Sequence, residues 1–538
     1  MKPFPPWVWD IPERFNIGAA CTDAHTGTSL ADRAAVIVDD DRSGVTTLTF
    51  AALAERTSRF AQLLRNLGID AGERVLIRLP NCVEHPTAFL GSLKRGAIAV
   101  PTSILLTSHE VLHLAMDSAA SVLVTDGPTW DRLRDALGPT STLRVVLLVG
   151  GRAVDTDGVD VLDFHAALDA VTAWDDPHPT RADDPAYLVY TSGTTSFPKG
   201  VLHAHRALLG RQPSSRYWFD FDPAGDRVLH SGKFNWTYVL GTGLMDPLFR
   251  GHTAIVHEGT TDTTIWPRLI ARHGATIFIG VPTLYRHILQ KMTAGAADVP
   301  SLRHCMSAGE ALSDEVLAGW RERFGLEIYE GLGMTECSYY LCETKERPIR
   351  PGSAGFVQPG HGVTLLDPAT WQEVGVDQEG MLCIPADDPL LFLRYWNQPQ
   401  ETATSFHGSW FLTGDYARRD ADGYIWFLGR RDDLINSFGY RVSPHEIERV
   451  LKGHPAIADC AAMGETMAPD RVLVVAYVVL HAGATDGPDD ILGWAREHLA
   501  SYKAPRIVYA VDDLPRTRNG KVLRRQLTPA LARARSAR

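Results

Sequence analysis

The chain has 538 residues, 45% hydrophobic and 22% charged, with a net charge of −11. That length and composition suit a soluble globular protein of two or three domains, and nothing in the charge balance points to nucleic acid. No apolar run reaches membrane-spanning length, and Met1-Lys-Pro-Phe-Pro-Pro-Trp7 lacks the apolar stretch of a secretion signal, so a cytoplasmic protein without a membrane partner is expected. Phe50–Leu67 is amphipathic and reads as a helix. The stretches Val75–Leu79, Ile98–Val100, Ser121–Thr125, Arg144–Val149, Ala186–Tyr190, Thr253–His257, Thr276–Val281 and Glu327–Tyr329 are apolar, often β-branched, and read as strands. Strands alternating with helices predict α/β layers with largely parallel sheets, whose ligands collect beyond the carboxyl ends of the strands. Seven cysteines, at 21, 82, 305, 337, 342, 383 and 460, include no Cys-x-x-Cys pair, so reduced thiols are expected rather than a disulfide framework or a zinc site.

The chemistry-bearing segments also fall in chain order. Tyr190-Thr-Ser-Gly-Thr-Thr-Ser-Phe-Pro-Lys-Gly200 follows a strand and is expected to lead into a helix near Val201. Backbone N–H groups and hydroxyls in such a loop converge on phosphate oxygens, and Lys199 adds a point charge. The loop is not a Walker A sequence, because Pro198 precedes the lysine and Gly200 follows it. His203 and His205 come next and are read as structural. Ser307-Ala-Gly-Glu-Ala311 and Tyr329-Glu-Gly-Leu-Gly-Met-Thr-Glu336 each read as glycine turns after short strands. Residues 375–430 change texture, with short strands punctuated by Gly, Asp and aromatics, and read as a small β-rich subdomain carrying Trp410-Phe-Leu-Thr-Gly-Asp415. Gly429-Arg-Arg-Asp-Asp433 separates it from a compact α/β tail, which opens with a capping box at Ser443-Pro-His-Glu446. Val472–Leu480 reads as a strand, and Pro515-Arg-Thr-Arg-Asn-Gly-Lys521 begins a basic end with eight Arg/Lys and no Asp/Glu from 516 to 538, read as solvated.

Taken together and in this order, these motifs resemble the adenylate-forming superfamily of AMP-dependent acyl-CoA synthetases, and the resemblance runs from about Phe50 to Lys521. It implies a large N-terminal domain, 1–431, of layered α/β subdomains plus the small β-rich one. A small mobile α/β C-terminal domain, 432–538, would follow. It also implies ATP, Mg²⁺, coenzyme A and a small-molecule carboxylate. Thr191, Ser192, Gly193, Thr194, Thr195 and Lys199 would cradle phosphate, with Thr194 catalytic. Gly309, Glu310, Ala311, Glu330, Gly331, Leu332, Gly333, Met334 and Thr335 would surround the nucleotide, and Glu336 would be both catalytic and the Mg²⁺ ligand. Asp415 would meet the ribose diol, Arg430 the nucleotide and Arg441 phosphate. Asp432 would be the hinge, Phe438 and Gly439 would face CoA, and Lys521 would be the adenylation lysine. Three departures stand out: Ser196 replaces a usual glycine, Asn519 a usual Ser or Thr, and Phe234-Asn235 a common Phe-His pair.

Lys233, Trp236, Tyr238, Gly241, Val281 and Met306, with Gly331 and Met334, would line a compact, mainly apolar acyl pocket. Its bulky aromatics favour an aryl, alicyclic or short-to-medium-chain acid. The implied reaction forms acyl-AMP and then a CoA thioester, as a monomer or homodimer. The alternatives are an enzyme that loads an acyl carrier protein and, from another class, a non-catalytic nucleotide-binding protein.

Overall fold

The computed structural model describes residues 4–137, 142–151, 158–191, 198–260, 262–430, 433–437, 440–468, 471–501, 503–516 and 522–533. It has the α/β architecture expected, a large N-terminal part followed by a small C-terminal one. Two large sheets organise the first part. In an eight-stranded sheet, Arg74–Arg78 lies between Ile98–Pro101 and Ala120–Asp126, all parallel, with Val145–Val149 and Asp160–Asp163 beyond. Its central strands are buried along nearly their whole length, as strands covered by helices on both faces must be. One covering helix is Phe50–Asn66. The Thr49 side chain caps it by accepting from Ala52 N–H, and Phe50, Leu53, Thr57, Phe60 and Leu64 recur on its buried face.

The second sheet has nine strands. Arg227–His230 sits between Thr253–Glu258 and Ile277–Gly280, and the parallel run continues through His304–Ala308 to Ile328–Met334. A five-stranded antiparallel sheet, with Glu379–Pro385, Trp410–Arg419 and Ile425–Arg430 at its heart, forms the expected β-rich subdomain. The tail is built on Ile457–Ala468, Arg471–Leu480 and Ile507–Ala510, with its own core around Ile447, Val474 and Ile491. Among the described residues no helix is long and apolar enough to cross a membrane.

Four local expectations need correction. Residues after the phosphate loop form a strand, Lys199–Ala204, paired antiparallel with Pro185–Thr191, and not a helix. Residues 200–204 are all buried, and a strand inside a sheet buries both faces where a surface helix would bury one stripe. Tyr329 to Met334 likewise belongs to the strand Ile328–Met334, which forms a hairpin with Ser338–Cys342. The glycine at 333 serves close approach there: a Cβ would overlap the Ser338 carbonyl. Asp415 lies within the ten-residue strand Trp410–Arg419, longer than the short strands expected of this region. Finally, Ser443 caps Pro444–Lys452 through Glu446 N–H, but the Glu446 carboxylate pairs with Lys503 at 2.6 Å instead of closing the box.

Candidate active site

The strand Lys199–Ala204 delivers Lys199 to the end of the eight-stranded sheet. The neighbouring strand Arg394–Tyr395 pairs with it, Tyr395 opposite Val201. Lys199 Nζ stands 4.0 Å over the Tyr395 ring and 2.8 Å from Glu401, and the Tyr395 hydroxyl donates to Glu336 Oε1 at 2.7 Å. The phosphate-loop lysine and the expected metal carboxylate are thus joined through one tyrosine, which sequence reasoning missed. No motif spacing marks Tyr395; only the pairing of two strands almost 200 residues apart places it. Burial, then the Glu336 charge, pushes the Tyr395 phenol up and keeps it a donor.

Thr335 precedes Glu336, and its carbonyl meets His203 Nε2 at 2.9 Å. His203 is fully buried and stacks on Tyr187 at 4.7 Å. Burial holds His203 and His205 down to about 3, so both are neutral. That agrees with their reading as structural residues, and gives His203 the added task of fixing the Thr335 backbone.

The β-rich subdomain supplies Asp415 and Arg430 from opposed positions on two paired strands. Arg430 Nε lies 3.4 Å from Asp415 Oδ1, and Tyr340 Oη lies 3.5 Å from Oδ2. The Asp415 charge raises the Arg430 guanidinium above its ordinary value. Asp415 is 3% exposed, so its carboxylate is a buried acceptor.

Ser307 and Ala308 end the strand His304–Ala308 instead of following it, and the chain turns at Gly309, at φ +97°. Glu310 Oε2 accepts from Thr283 Oγ1 at 3.0 Å. Across from this turn, the Trp236 ring comes within 3.8 Å of where a Gly309 Cβ would stand. Trp236 packs edge-on against Tyr238 at 5.3 Å, and Tyr238 against His230 at 4.9 Å and Trp218 at 6.4 Å. Gly331 makes room for Trp218, whose Nε1 donates to the Tyr329 carbonyl at 3.0 Å. Met306 is fully buried behind them and Val281 is partly buried at the start of Pro282–Lys291. The loop carrying Trp236 is pinned by Asn81, which accepts from Phe234 N–H at 2.9 Å and donates to the Gly232 carbonyl at 3.1 Å.

This wall is less uniformly apolar than expected. Lys233 turns to Glu258 at 2.7 Å. Behind Gly241, at 3.7 Å from its would-be Cβ, lie Arg211, Asp246 and Tyr339. Arg211 Nε donates to Asp246 at 3.0 Å, and Tyr339 Oη donates to the same carboxylate. Glu330 Oε2 accepts from Leu312 N–H at 2.9 Å, yet burial pushes its carboxyl up to about 8. Its backbone N–H donates to Glu343 Oε2 at 2.9 Å, and Glu343 is also raised well above the carboxylate range, by burial and then by Glu330. Among the sequence-predicted site residues, Ser192, Gly193, Thr194, Thr195, Asp432, Phe438, Gly439 and Lys521 lie outside the described residues, as does the Arg441 side chain.

Residues 24–396 match the family model of AMP-binding enzymes, and residues 446–521 match the model of the AMP-binding enzyme C-terminal domain. The chain belongs to the AMP-binding enzyme family. It is 33% identical over 525 residues to a benzoate–CoA ligase of Thauera aromatica, with 97% of each chain covered. An anthranilate CoA ligase solved with anthranoyl-AMP superposes with a TM-score of 0.87 at 28% identity, covering 98% of this chain and 99% of that one. A benzoate CoA ligase from Burkholderia xenovorans LB400 gives 0.84 at 30% identity, covering 95% and 99%. The Lys199–Tyr395–Glu336 cluster and the Asp415–Arg430 pair are therefore features of an AMP-binding enzyme, which sets aside the non-catalytic alternative.

Proposed function

We propose that this ATP-dependent acyl-CoA ligase acts on a small aromatic carboxylic acid. The observation that carries the reading is the Trp236–Tyr238–Trp218 aromatic wall meeting the Gly309 turn, with Trp218 seated against Gly331 on the strand that leads to Thr335 and Glu336. A flat ring stacks or packs edge-on against such a wall, while its carboxylate is left toward the charged side. The kinship to benzoate and anthranilate ligases supports the same acid class.

In the first half-reaction a carboxylate oxygen attacks the α-phosphorus of ATP and pyrophosphate leaves with the bonding pair. Two anions must meet, so the protein's task is positioning and charge stabilisation. Lys199 exchanges a half-exposed surface partner, Glu401, for phosphate. Asp415 accepts from the ribose hydroxyls, and Arg430 stands beside that carboxylate as its counter-charge. The chemistry of the donors fits Mg²⁺. Glu336 is a single carboxylate, 8% exposed, and among the described residues no cluster of three or more His, Cys, Asp or Glu forms a metal cage. Mg²⁺ is commonly held by one or two carboxylates plus substrate phosphates. Glu336, oriented by Tyr395, would hold the ion, which supplies neutralisation of phosphate charge. Lys521 stabilises the charge developing at the α-phosphate. The C-terminal domain then pivots at Asp432, bringing Phe438 and Gly439 to CoA. The thiol sulfur attacks the acyl carbon, loses its proton, and AMP leaves.

A carboxylate panel with ATP, Mg²⁺ and CoA tests this, following AMP, pyrophosphate and acyl-CoA by mass. Benzoates should outperform cyclohexanecarboxylates and C2–C12 fatty acids. A preference for the fatty acids would overturn the aromatic assignment. Pyrophosphate exchange without acyl-CoA would reassign the acceptor to a carrier protein.

A further inference from the structure

A chain of alternating charges crosses from the large domain to the tail. Asp459, on the strand Ile457–Ala468, is fixed within the tail through Oδ1, which takes Lys452 Nζ at 3.2 Å and Cys460 N–H at 2.9 Å. Its Oδ2 faces two guanidiniums, Arg516 of the tail and, at 4.0 Å, Arg286 of the large domain. Arg516 also reaches Glu310 Oε1 in the large domain at 3.7 Å. That oxygen is buried and accepts no hydrogen bond among the described residues, so Arg516 supplies its counter-charge.

Two features make this more than a surface ion pair. Thr283, which holds Glu310, and Arg286, which meets Asp459, lie on the same helix Pro282–Lys291, so one rigid element presents both attachment points. The four side chains are also only 16–24% exposed. A further inter-domain pair among the described residues, Arg449–Asp314 at 2.8 Å, has side chains 44% and 51% exposed and is open to screening. Burial would raise the Asp459 carboxyl, but Lys452, Arg516 and Arg286 hold it below its ordinary value, so it stays an anion.

We infer that the Arg286–Asp459–Arg516–Glu310 relay is a latch that positions the tail for the adenylation step. Arg516 and Val522 form a β-bridge, and Lys521 immediately precedes Val522 in the sequence. Fixing Arg516 against the Gly309–Glu310 turn therefore restricts where Lys521 can reach. A pivot of the tail breaks the Arg286 and Glu310 attachments together. Asp459 and Arg286 are positioning residues in this account, which rests on the assignment of Lys521 to adenylation.

The test uses the full-length chain, with the acid chosen by the panel. Arg286→Gln and Asp459→Asn should each lower the kcat of ATP–pyrophosphate exchange about tenfold, the order expected from losing one charge-assisted contact. The KM for ATP and acid should stay within about twofold. Thioester formation from supplied acyl-adenylate and CoA should be unchanged, Arg286→Lys should recover most of the exchange, and Asp314→Asn should match wild type. Arg286→Gln keeps the test alive if Asp459→Asn does not fold. Unchanged exchange in Arg286→Gln, or equal loss of both half-reactions, overturns the latch. Lys521→Ala measured alongside separates the two failures. If it also slows both steps alike, the two-state reading falls and the latch with it; if it slows adenylation alone, only the latch falls.

Discussion

The nucleotide side and the acyl side of the cleft solve opposite electrostatic problems. On the nucleotide side the charged groups are met by charged or aromatic partners: Lys199 has Glu401 and the Tyr395 face, and Asp415 has Arg430. On the acyl side, Tyr238, Glu330 and Glu343 are kept neutral by burial, and the charges that remain, Arg211 with Asp246 and Lys233 with Glu258, are paired with each other. Tyr238 is pushed up by burial and then by Glu330, and Glu330 and Glu343 are raised beside each other. The difference follows from the ligands. A triphosphate brings charge that must be met by charge, whereas an aromatic ring gains from a wall that places no bare ion against it.

The largest test of this contrast removes a cation from the charged side. Lys521→Ala should slow adenylation by about 10²–10³, the cost of one transition-state donor, while sparing thioester formation from supplied acyl-adenylate. Equal loss of both steps would end the division of labour between the half-reactions. On the acyl side, Trp236→Ala should shift kcat/KM toward bulkier acids by between about tenfold and a few hundredfold. An unchanged acid profile would place Trp236 outside the pocket. Tyr395→Phe sits at the junction of phosphate and metal functions. It should weaken MgATP about tenfold through the lost hydrogen bond to Glu336, leaving acid selectivity alone, as titration of KM for ATP would reveal.

The last test concerns pH and is read in stability, not in activity. The Glu330 carboxyl titrates near 4.5 when free and is pushed up to about 8 in the fold. Between those values the folded state holds the extra proton, so stability falls as pH rises, and the slope vanishes below 4.5 and above 8. Glu330→Gln should flatten thermal unfolding across that window, by at most about 1.4 kcal/mol per pH unit, with a residual slope from Glu343. Parallel pH curves for variant and wild type would mean that Glu330 is ionised in the fold.

The chain's class and much of its chemistry were legible in the sequence alone. The hydroxyl-rich loop ending at Lys199, the Thr335-Glu336 pair and the Thr413-Gly-Asp415 segment are contiguous, and contiguous residues carry their geometry with them. The α/β layering was legible for the same reason, because a buried parallel strand announces itself as an apolar run. Local form was less secure where one motif serves two structures: Val201 to Ala204 and Tyr329 to Met334 became strands because neighbouring strands were there to pair with them. What only the tertiary structure decided are partnerships between distant residues: Tyr395 with Glu336, Arg211 and Tyr339 with Asp246, and Arg516 with Glu310. No periodicity encodes them, since each depends on strand register and helix placement that bring segments tens to hundreds of residues apart within hydrogen-bond reach.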